Sequence, residues 1–165
     1  KYVGKLSLKY KIYNMITIED FKKKQTSKTR LIGLDLGSKR IGISICDEKQ
    51  SIATPFKTIN RINTSELVNE LKEIIRENNI KGIVIGNPIN MDGTSGSSAQ
   101  SVKDISTNIS QFIDLPVCLW DERLSTVGAF NLSSQLDVNI SKKIKKIDEN
   151  AAAFILQGAI DYLNN

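Results

Sequence analysis

The sequence predicts a mixed α/β fold in which helices flank a single sheet. Two apolar segments, residues 31–37 and 41–46, are joined by a short turn, and this spacing indicates an antiparallel hairpin. After residue 60, short apolar segments alternate with segments of helical period, which indicates parallel strands joined by helical crossovers. The predicted element order is β-β-β-α-β-α-β-α-α.

Local signals define the third strand and the first helix. Residues 52–59 predict a strand, and Pro55 places it at the edge of the sheet because proline has no N–H to donate. Asn63 followed by Glu66 indicates a helix start with an asparagine cap. The face that this helix turns to the core consists of Leu67, Leu71, Ile74, Ile75 and Asn78.

The second half of the chain continues the alternation. Ser97 with Gln100 predicts a second helix cap. The predicted elements are a buried strand at 83–85, a polar loop at 87–97, a helix at 97–112, a strand at 115–120, a helix at 125–136, an exposed basic loop at 137–146 and a helix at 148–163.

Charge is distributed unevenly along the 165 residues, whose net charge is +5. Residues 1–30 hold nine basic and two acidic side chains, so the remainder of the chain is slightly acidic. We therefore predict a basic, mobile arm at 1–29 and one folded domain at 30–165, with phosphate binding as the alternative role of the arm. Met15 is a plausible start, which would make residues 1–14 non-native.

Composition excludes several classes of site. The sequence has no histidine, which excludes Ser-His-Asp and Cys-His catalysis and every His-containing zinc site. Its two cysteines, Cys46 and Cys118, lie in apolar segments and are expected to be reduced core residues. No apolar segment reaches the ~18 residues of a membrane span, and no secretory signal is recognisable. We expect a cytoplasmic protein without a membrane partner.

Four carboxylates stand at positions where strands end or helices begin. Asp35 lies within the most apolar strand, Asp121 and Glu122 follow the fifth strand, and Asp148 opens the last helix. Ordinary alternatives exist for each: an Asp-Gly turn for Asp35, helix N-terminal acids for Asp121 and Glu122, and an N-cap for Asp148. Side chains alternate along a strand, so only one of Asp121 and Glu122 is expected to share the face of Asp35.

Together these acids predict a metal site. Carboxylate oxygens are the ligands that Mg²⁺ and Mn²⁺ prefer, and two such ions assist phosphodiester hydrolysis by stabilising the attacking and leaving oxygens. The lack of histidine agrees with a site in which metal, and not imidazole, activates water.

At these residues the chain resembles the YqgF-type family of ribonuclease-H-like proteins, over about residues 30–163. The matching segments are GLDLGSKRIG at 33–42, GNPINMDGT at 86–94, DERLST at 121–126 and DENAA at 148–152. The resemblance implies a ribonuclease-H-like, five-stranded mixed sheet of order 3-2-1-4-5 with strand 2 antiparallel. It implies metal ligation by Asp35, by Asp121 or Glu122, and by Asp148.

Two departures from related proteins accompany this resemblance. Asn87 stands where the family loop usually has leucine, from which we expect only a local change. The related resolvases carry an acid at the end of strand 4, where this chain has Gly86-Asn87-Pro88, so the fourth metal ligand stays open.

Substrate contacts are predicted around the acids. The loop residues Asn90, Asp92, Gly93 and Thr94 suit close approach of backbone N–H groups to a phosphate, with an ordinary Asp-Gly turn as the alternative. Arg123 suits bidentate phosphate binding or, alternatively, neutralisation of Glu122. Further basic residues, on the first hairpin turn, are Lys39 and Arg40.

The sequence thus predicts a Mg²⁺- or Mn²⁺-dependent endonuclease with nucleic acid as its partner, acting as a monomer or homodimer. The family resemblance implies processing of the 5′ end of pre-16S rRNA in ribosome biogenesis, or resolution of branched DNA junctions. Two alternatives from other classes are a nucleotide phosphotransferase related to actin-like ATPases and a non-catalytic RNA or ribosome-assembly binder. The single domain disfavours the phosphotransferase, because actin-like proteins bind nucleotide between two such domains.

Overall fold

The computed structural model describes residues 15–124 and 140–165, and residues 140–149 by their backbone only. The strands are β1 (Met15–Ile16), β2 (Arg30–Leu36), β3 (Arg40–Cys46), β4 (Ala53–Asn60), β5 (Ile80–Asn87) and β6 (Val117–Asp121). The described helices are α1 (Ile18–Lys24), α2 (Thr64–Asn78), α3 (Ser97–Phe112) and α4 (Ile140–Asn164).

One mixed sheet of order β1-β6-β5-β2-β3-β4 organises the molecule. β3 runs antiparallel to both β2 and β4, whereas β5 runs parallel to β2 and to β6. The predicted fold class and the order of the five predicted strands are therefore confirmed. The number of strands is six and not five, because β1 extends the sheet by pairing Met15 with Val117 on β6.

The segment before β2 is folded where the sequence suggested a mobile arm. Thr17 caps α1 by accepting a hydrogen bond from the Asp20 N–H at 3.0 Å, and Ile18 and Phe21 are buried. The Lys22 ammonium stands 5.2 Å from the centroid of the Tyr162 ring on α4. The prediction of a mobile arm was therefore wrong for residues 15–24. The run of lysines obscured Ile18 and Phe21, an apolar pair three residues apart that shares one face of a helix. Residues 1–14 lie outside the described part of the chain.

Several local expectations are decided by the structure. The Asn63 side chain caps α2 at 2.9 Å from the Glu66 N–H, and β4 lies at the sheet edge, both as predicted. The Ser97 cap is wrong: Gly96 is the N-cap of α3, without a side-chain hydrogen bond. The loop predicted at 137–146 is also wrong from Ile140 onward, where α4 begins. The helix predicted at 125–136 lies outside the described residues.

Side-chain alternation divides the core between the two faces of the sheet. On β2, the even-numbered residues Ile32, Leu34 and Leu36 pack toward α2 and α3, whereas Leu31 packs on the side of α4. Asp35 has the parity of Leu31 and therefore lies on the α4 face. Among the described residues, no helix has the length and apolar character needed to cross a membrane.

α4 approaches the sheet closely because β2 and β3 carry small residues beneath it. A Cβ atom placed on Gly33 would lie 2.7 Å from the Leu156 Cβ and 3.0 Å from the Ala152 carbonyl oxygen. The buried Ser44 hydroxyl donates to that same carbonyl at 2.6 Å. α4 is kinked just before this contact, at Asn150 (φ −120°, ψ 15°). Gly33 and Ser44 thus set the position at which the kinked helix crosses the sheet.

We expect Gly33→Ala to lower the free energy of unfolding by about 1–3 kcal/mol, because the new methyl group overpacks the contact between β2 and α4. Urea denaturation followed by circular dichroism measures this loss. Gly42→Ala is the matched control, since its Cβ would meet the Ala152 Cβ at 3.3 Å and requires a smaller adjustment. Equal losses for the two variants would contradict the inference that α4 packs more closely on Gly33 than on Gly42.

Candidate active site

Asp35 and Glu122 form a pair of acids at the carboxyl edge of the parallel strands. Asp35 is the second-last residue of β2, and Glu122 follows the last residue of β6. Glu122 is turned to the α4 face, since its carboxyl reaches the space over Gly86 next to Ile155 of α4. The choice that the sequence left open between Asp121 and Glu122 therefore has a geometric answer: Glu122 shares the face of Asp35.

The environment of Glu122 disfavours its charged form. Burial, together with the smaller effect of the negative charges of Asp35 and Asp121, raises the pKa of the Glu122 carboxyl to about 7. A carboxyl group in such surroundings is stabilised by a proton or by a cation. Perturbed acids of this kind are concentrated at functional sites.

Asp121 has a different partner. Its carboxylate accepts hydrogen bonds from Arg123 Nε at 3.0 Å and from Arg123 Nη2 at 2.6 Å, so the guanidinium binds both carboxylate oxygens. The Arg123 hydrogen bonds lower the pKa of the Asp121 carboxyl below its ordinary value. The expectation that Arg123 neutralises an acid is correct in kind, but the acid is Asp121 and not Glu122.

Gly86 explains why this chain has no acid at the end of its fourth predicted strand. A Cβ atom on Gly86 would lie 2.5 Å from Glu122 Oε1 and 2.5 Å from the Ile155 Cδ1. Real Cβ atoms do not approach other atoms so closely, so any larger residue here requires the ends of the Glu122 and Ile155 side chains to move. The carboxyl of Glu122 thus fills the volume into which a side chain of β5 would project.

A short hairpin at 89–95 borders Glu122. Asn90 N–H donates to the Thr94 carbonyl at 2.9 Å, and Gly93 N–H donates to the Asn90 carbonyl at 2.8 Å. Gly93 has φ +88°, the left-handed conformation that suits a bulge after a tight turn. Asp92 accepts from the N–H and the hydroxyl of Thr94, and these bonds lower the pKa of the Asp92 carboxyl.

The predicted substrate residues of this loop therefore divide into two groups. Asn90 lines a cleft of about 440 Å³ together with Glu122 and Arg123. The other group forms the turn itself and consists of Asp92, Gly93 and Thr94, in agreement with the alternative of an ordinary Asp-Gly turn. Arg123 joins the two groups, because its Nη1 lies 3.5 Å from the Asn90 carbonyl oxygen.

A second cleft opens on the other side of Asp35. It has a volume of about 500 Å³ and is lined by Asp35, by the exposed Lys39 and Arg40, and by residues 150–153 of α4. Arg61 was not among the predicted residues. Its Nη1 donates a hydrogen bond to the Gly37 carbonyl at 2.7 Å and so stabilises the turn that carries Lys39 and Arg40. No signal in the sequence identified it, because its partner is a backbone atom 24 residues away.

The acids fit a divalent cation by their chemistry. Asp35 and Glu122 supply oxygen donors from two strand ends, which suits Mg²⁺ or Mn²⁺. Within the described residues, no group of three His, Cys, Asp or Glu side chains could hold a metal ion. Asp148 lies on α4 one turn before Ala152, and its side chain is outside the described part.

The match to a family of known proteins covers most of the chain. A family model described as RuvX, Holliday junction resolvase, matches residues 29–162. The chain belongs to the RuvX family. The resemblance to YqgF-type proteins, inferred from four sequence segments, is thereby confirmed, and with it the class of enzyme: RuvX is a family of nucleases.

Individual relatives support this membership. A candidate pre-16S rRNA nuclease of Pelagibacter ubique is 76% identical over 151 residues, covering 92% of this chain and 100% of the relative. A protein of the same name from a Ruegeria species is 42% identical over 147 residues, covering 89% of this chain and 94% of the relative. This chain thus has close relatives along nearly its whole length.

The structure of this chain also resembles a solved resolvase. Thermus thermophilus RuvC in complex with a Holliday junction substrate superposes with a TM-score of 0.52 at 9% identity, covering 81% of this chain and 94% of RuvC. At this identity the likeness shows a shared fold, which is the ribonuclease-H-like fold expected from the sequence.

We expect Gly86→Ala to lower the free energy of unfolding by about 1–3 kcal/mol and to displace the Glu122 carboxyl, because the new Cβ would overlap it. Thermal unfolding measures the first effect. Gly96→Ser is the matched control, since a Cβ there would lie 3.8 Å from its nearest neighbour, Asn90 Nδ2, and serine is a good N-cap. Equal stability of the Gly86 variant and the wild type would contradict the overlap.

We expect Glu122→Gln to stabilise the metal-free protein at pH 8 but not at pH 4. The folded pKa of about 7 exceeds the ordinary 4.5, so charging Glu122 weakens the fold as pH rises through this window. The gain at pH 8 is on the order of 1 kcal/mol after allowance for solvent screening. Urea unfolding in EDTA at both pH values measures it.

Asp47→Asn is the control of opposite sign. Backbone N–H groups of Ile52 and Ser51 lower the pKa of the Asp47 carboxyl, so its contribution to stability is present at pH 8 and is lost as pH falls. A destabilising effect of Glu122→Gln at pH 8 would contradict the expected like-charge environment.

Proposed function

We propose that this protein is a metal-dependent endonuclease that hydrolyses phosphodiester bonds in pre-16S rRNA, in the cytoplasm. The observation that carries the proposal is the position of the Glu122 carboxyl. It lies over Gly86, where β5 has no side chain, and close enough to Asp35 for the two charges to interact. Two acids at the ends of β2 and β6, on either side of β5 and next to clefts that carry basic side chains, are typical of a site for a cation and a phosphate. The names of the Pelagibacter and Ruegeria relatives support rRNA as the substrate.

The proposed metal ligands are Asp35, Glu122 and Asp148. Bound Mg²⁺ or Mn²⁺, in a pair of ions, would lower the pKa of a water nucleophile and stabilise the charge on the leaving oxygen. The carboxylates of this chain would hold the cations near the carboxyl edge of the sheet. Asp121 is excluded from this set in our proposal because Arg123 engages both of its oxygens.

Basic residues on both sides of the acids are proposed to bind the backbone of the nucleic acid. Lys39 and Arg40 line the cleft next to Asp35, and Arg123 lines the cleft next to Glu122. A strand passing from one cleft to the other would present a phosphate to the two acids. Asp121 would act as a positioning residue that holds the Arg123 guanidinium at the mouth of its cleft.

A second candidate function is the resolution of branched DNA. The family description and the fold shared with RuvC favour it, and it would require a homodimer that presents two such sites to two strands. A binder without catalysis is the weaker alternative, because a binding surface has no need to bury Glu122 beside Asp35.

The first experiment compares wild type with Asp35→Asn on labelled precursor 16S rRNA and on a synthetic four-way DNA junction. Each substrate is incubated with Mn²⁺, with Mg²⁺ and with EDTA. We expect cleavage of the rRNA by the wild type with either metal, and at least a hundredfold slower cleavage by the variant. Binding of both substrates without any cleavage would contradict the proposed function.

Asp121→Asn and Glu122→Gln are expected to differ in kinetics. Loss of the Asp121 charge frees the Arg123 guanidinium, so we expect KM to rise with little change in kcat. Loss of the Glu122 charge removes a proposed metal ligand, so we expect kcat to fall by about 10²-fold or more. Steady-state kinetics at saturating Mn²⁺ separates the two.

Arg123→Ala supplies the coupling control for this pair. If Asp121 acts through Arg123, the double variant is no weaker than Arg123→Ala alone. A fall in kcat for Asp121→Asn equal to that for Glu122→Gln would overturn the positioning role.

A further inference from the structure

Met91 is an apolar side chain held out into solvent next to the acids. It is 80% exposed, more than any other large hydrophobic residue in the described part of the chain. The next most exposed are Leu124 at 62% and Ile52 at 61%. Single exposed apolar residues are common on protein surfaces, so exposure alone has no functional meaning.

The backbone around Met91 is firmly held, which distinguishes it from a residue in a loose loop. Met91 is the second residue of the turn that the Gly93 N–H closes on the Asn90 carbonyl. Ile89 and Ser95 form an antiparallel bridge below the turn, and the Asn90 side-chain amide donates to the Thr94 hydroxyl at 3.1 Å. The hairpin thus carries Met91 at its tip on a hydrogen-bonded backbone.

The tip of the hairpin belongs to the cleft that contains Glu122. Met91 lines this cleft with Asn90, Glu122 and Arg123. Arg123 ties the hairpin to β6, through its hydrogen bonds to Asp121 on one side and its approach to the Asn90 carbonyl on the other. An apolar tip and a phosphate-binding guanidinium therefore stand together at one end of the site.

We propose that Met91 is a base-contacting residue that inserts against or between two bases of RNA beside the scissile phosphate. The proposal rests on the nuclease function proposed above and adds how the substrate is selected. Phosphate contacts position a nucleic acid, whereas apolar side chains that enter the base stack select steps that unstack easily. The unbranched, polarisable thioether suits contact with aromatic base faces.

This role has a consequence for specificity. Insertion of Met91 opposes stacking, so the enzyme should favour single-stranded or weakly paired RNA steps over continuous duplex. Sequence-specific recognition of RNA usually targets such unstacked segments. Because Met91 has no charge, its contribution to binding should be independent of salt, in contrast to that of Arg123.

The test uses RNA with 2-aminopurine placed in turn at each position around the cleavage site of the wild type. Binding is measured with Asp35→Asn protein, which should retain the hairpin and cleave at least a hundredfold more slowly. We expect a severalfold rise in fluorescence at one step when the protein binds. Adding Met91→Ala should abolish the rise and weaken binding five- to fiftyfold, whereas Met91→Leu should preserve both.

Two controls define the outcome. Phe112→Ala removes another apolar side chain, 59% exposed, at the C-terminal end of α3, and should leave fluorescence and binding unchanged. In the cleaving enzyme, Met91→Ala should lower kcat/KM without changing the salt dependence, whereas Arg123→Ala should reduce that dependence.

Failure of this inference is distinguishable from failure of the proposed function. Normal cleavage and binding by Met91→Ala, with the fluorescence rise intact, would overturn the role of Met91 and leave the nuclease standing. Met91 would then be available to a protein partner. Absence of cleavage by the wild type on any substrate would overturn the nuclease, and with it the inference drawn here.

Discussion

The space above Gly86 is the constraint on which the site depends. It admits the Glu122 carboxyl because β5 contributes no side chain there, and Ile155 of α4 closes it from the other side. The half-buried position of Glu122, together with the nearby charges of Asp35 and Asp121, raises the pKa of its carboxyl. A substitution at Gly86 therefore alters chemistry and packing together.

The pKa values of two acids adjacent in sequence shift in opposite directions because their side chains have different surroundings. Asp121 and Glu122 are adjacent in sequence, yet the pKa of one is lowered by Arg123 and that of the other is raised by burial and by Asp35. The ion pair of Asp121 also ties the end of β6 to the hairpin at 89–95, through the Arg123 guanidinium. One acid thereby supports the architecture of the cleft, while the other is available to a cation.

The remaining side of the site depends on how closely α4 approaches the sheet. Gly33 leaves room for this approach, and Ser44 secures it by donating to the Ala152 carbonyl. The kink at Asn150 then brings residues 150–153 against the cleft next to Asp35. Small residues in two strands thus allow a helix from the far end of the sequence to complete the wall of the site.

The sequence by itself determined the fold class, a mixed sheet flanked by helices, because alternation, helical period and turn chemistry are local properties. The order of five strands followed from the family resemblance carried by four sequence segments. The sequence did not reveal β1 and α1, whose apolar residues are few and matter only when packed on β6 and α4. It placed Asp35, Asp121 and Glu122 at one edge of the sheet, since strand ends are readable from the chain. Only the tertiary structure showed that Glu122, and not Asp121, shares the face of Asp35, because the Glu122 carboxyl lies over Gly86 whereas Asp121 is bound by Arg123.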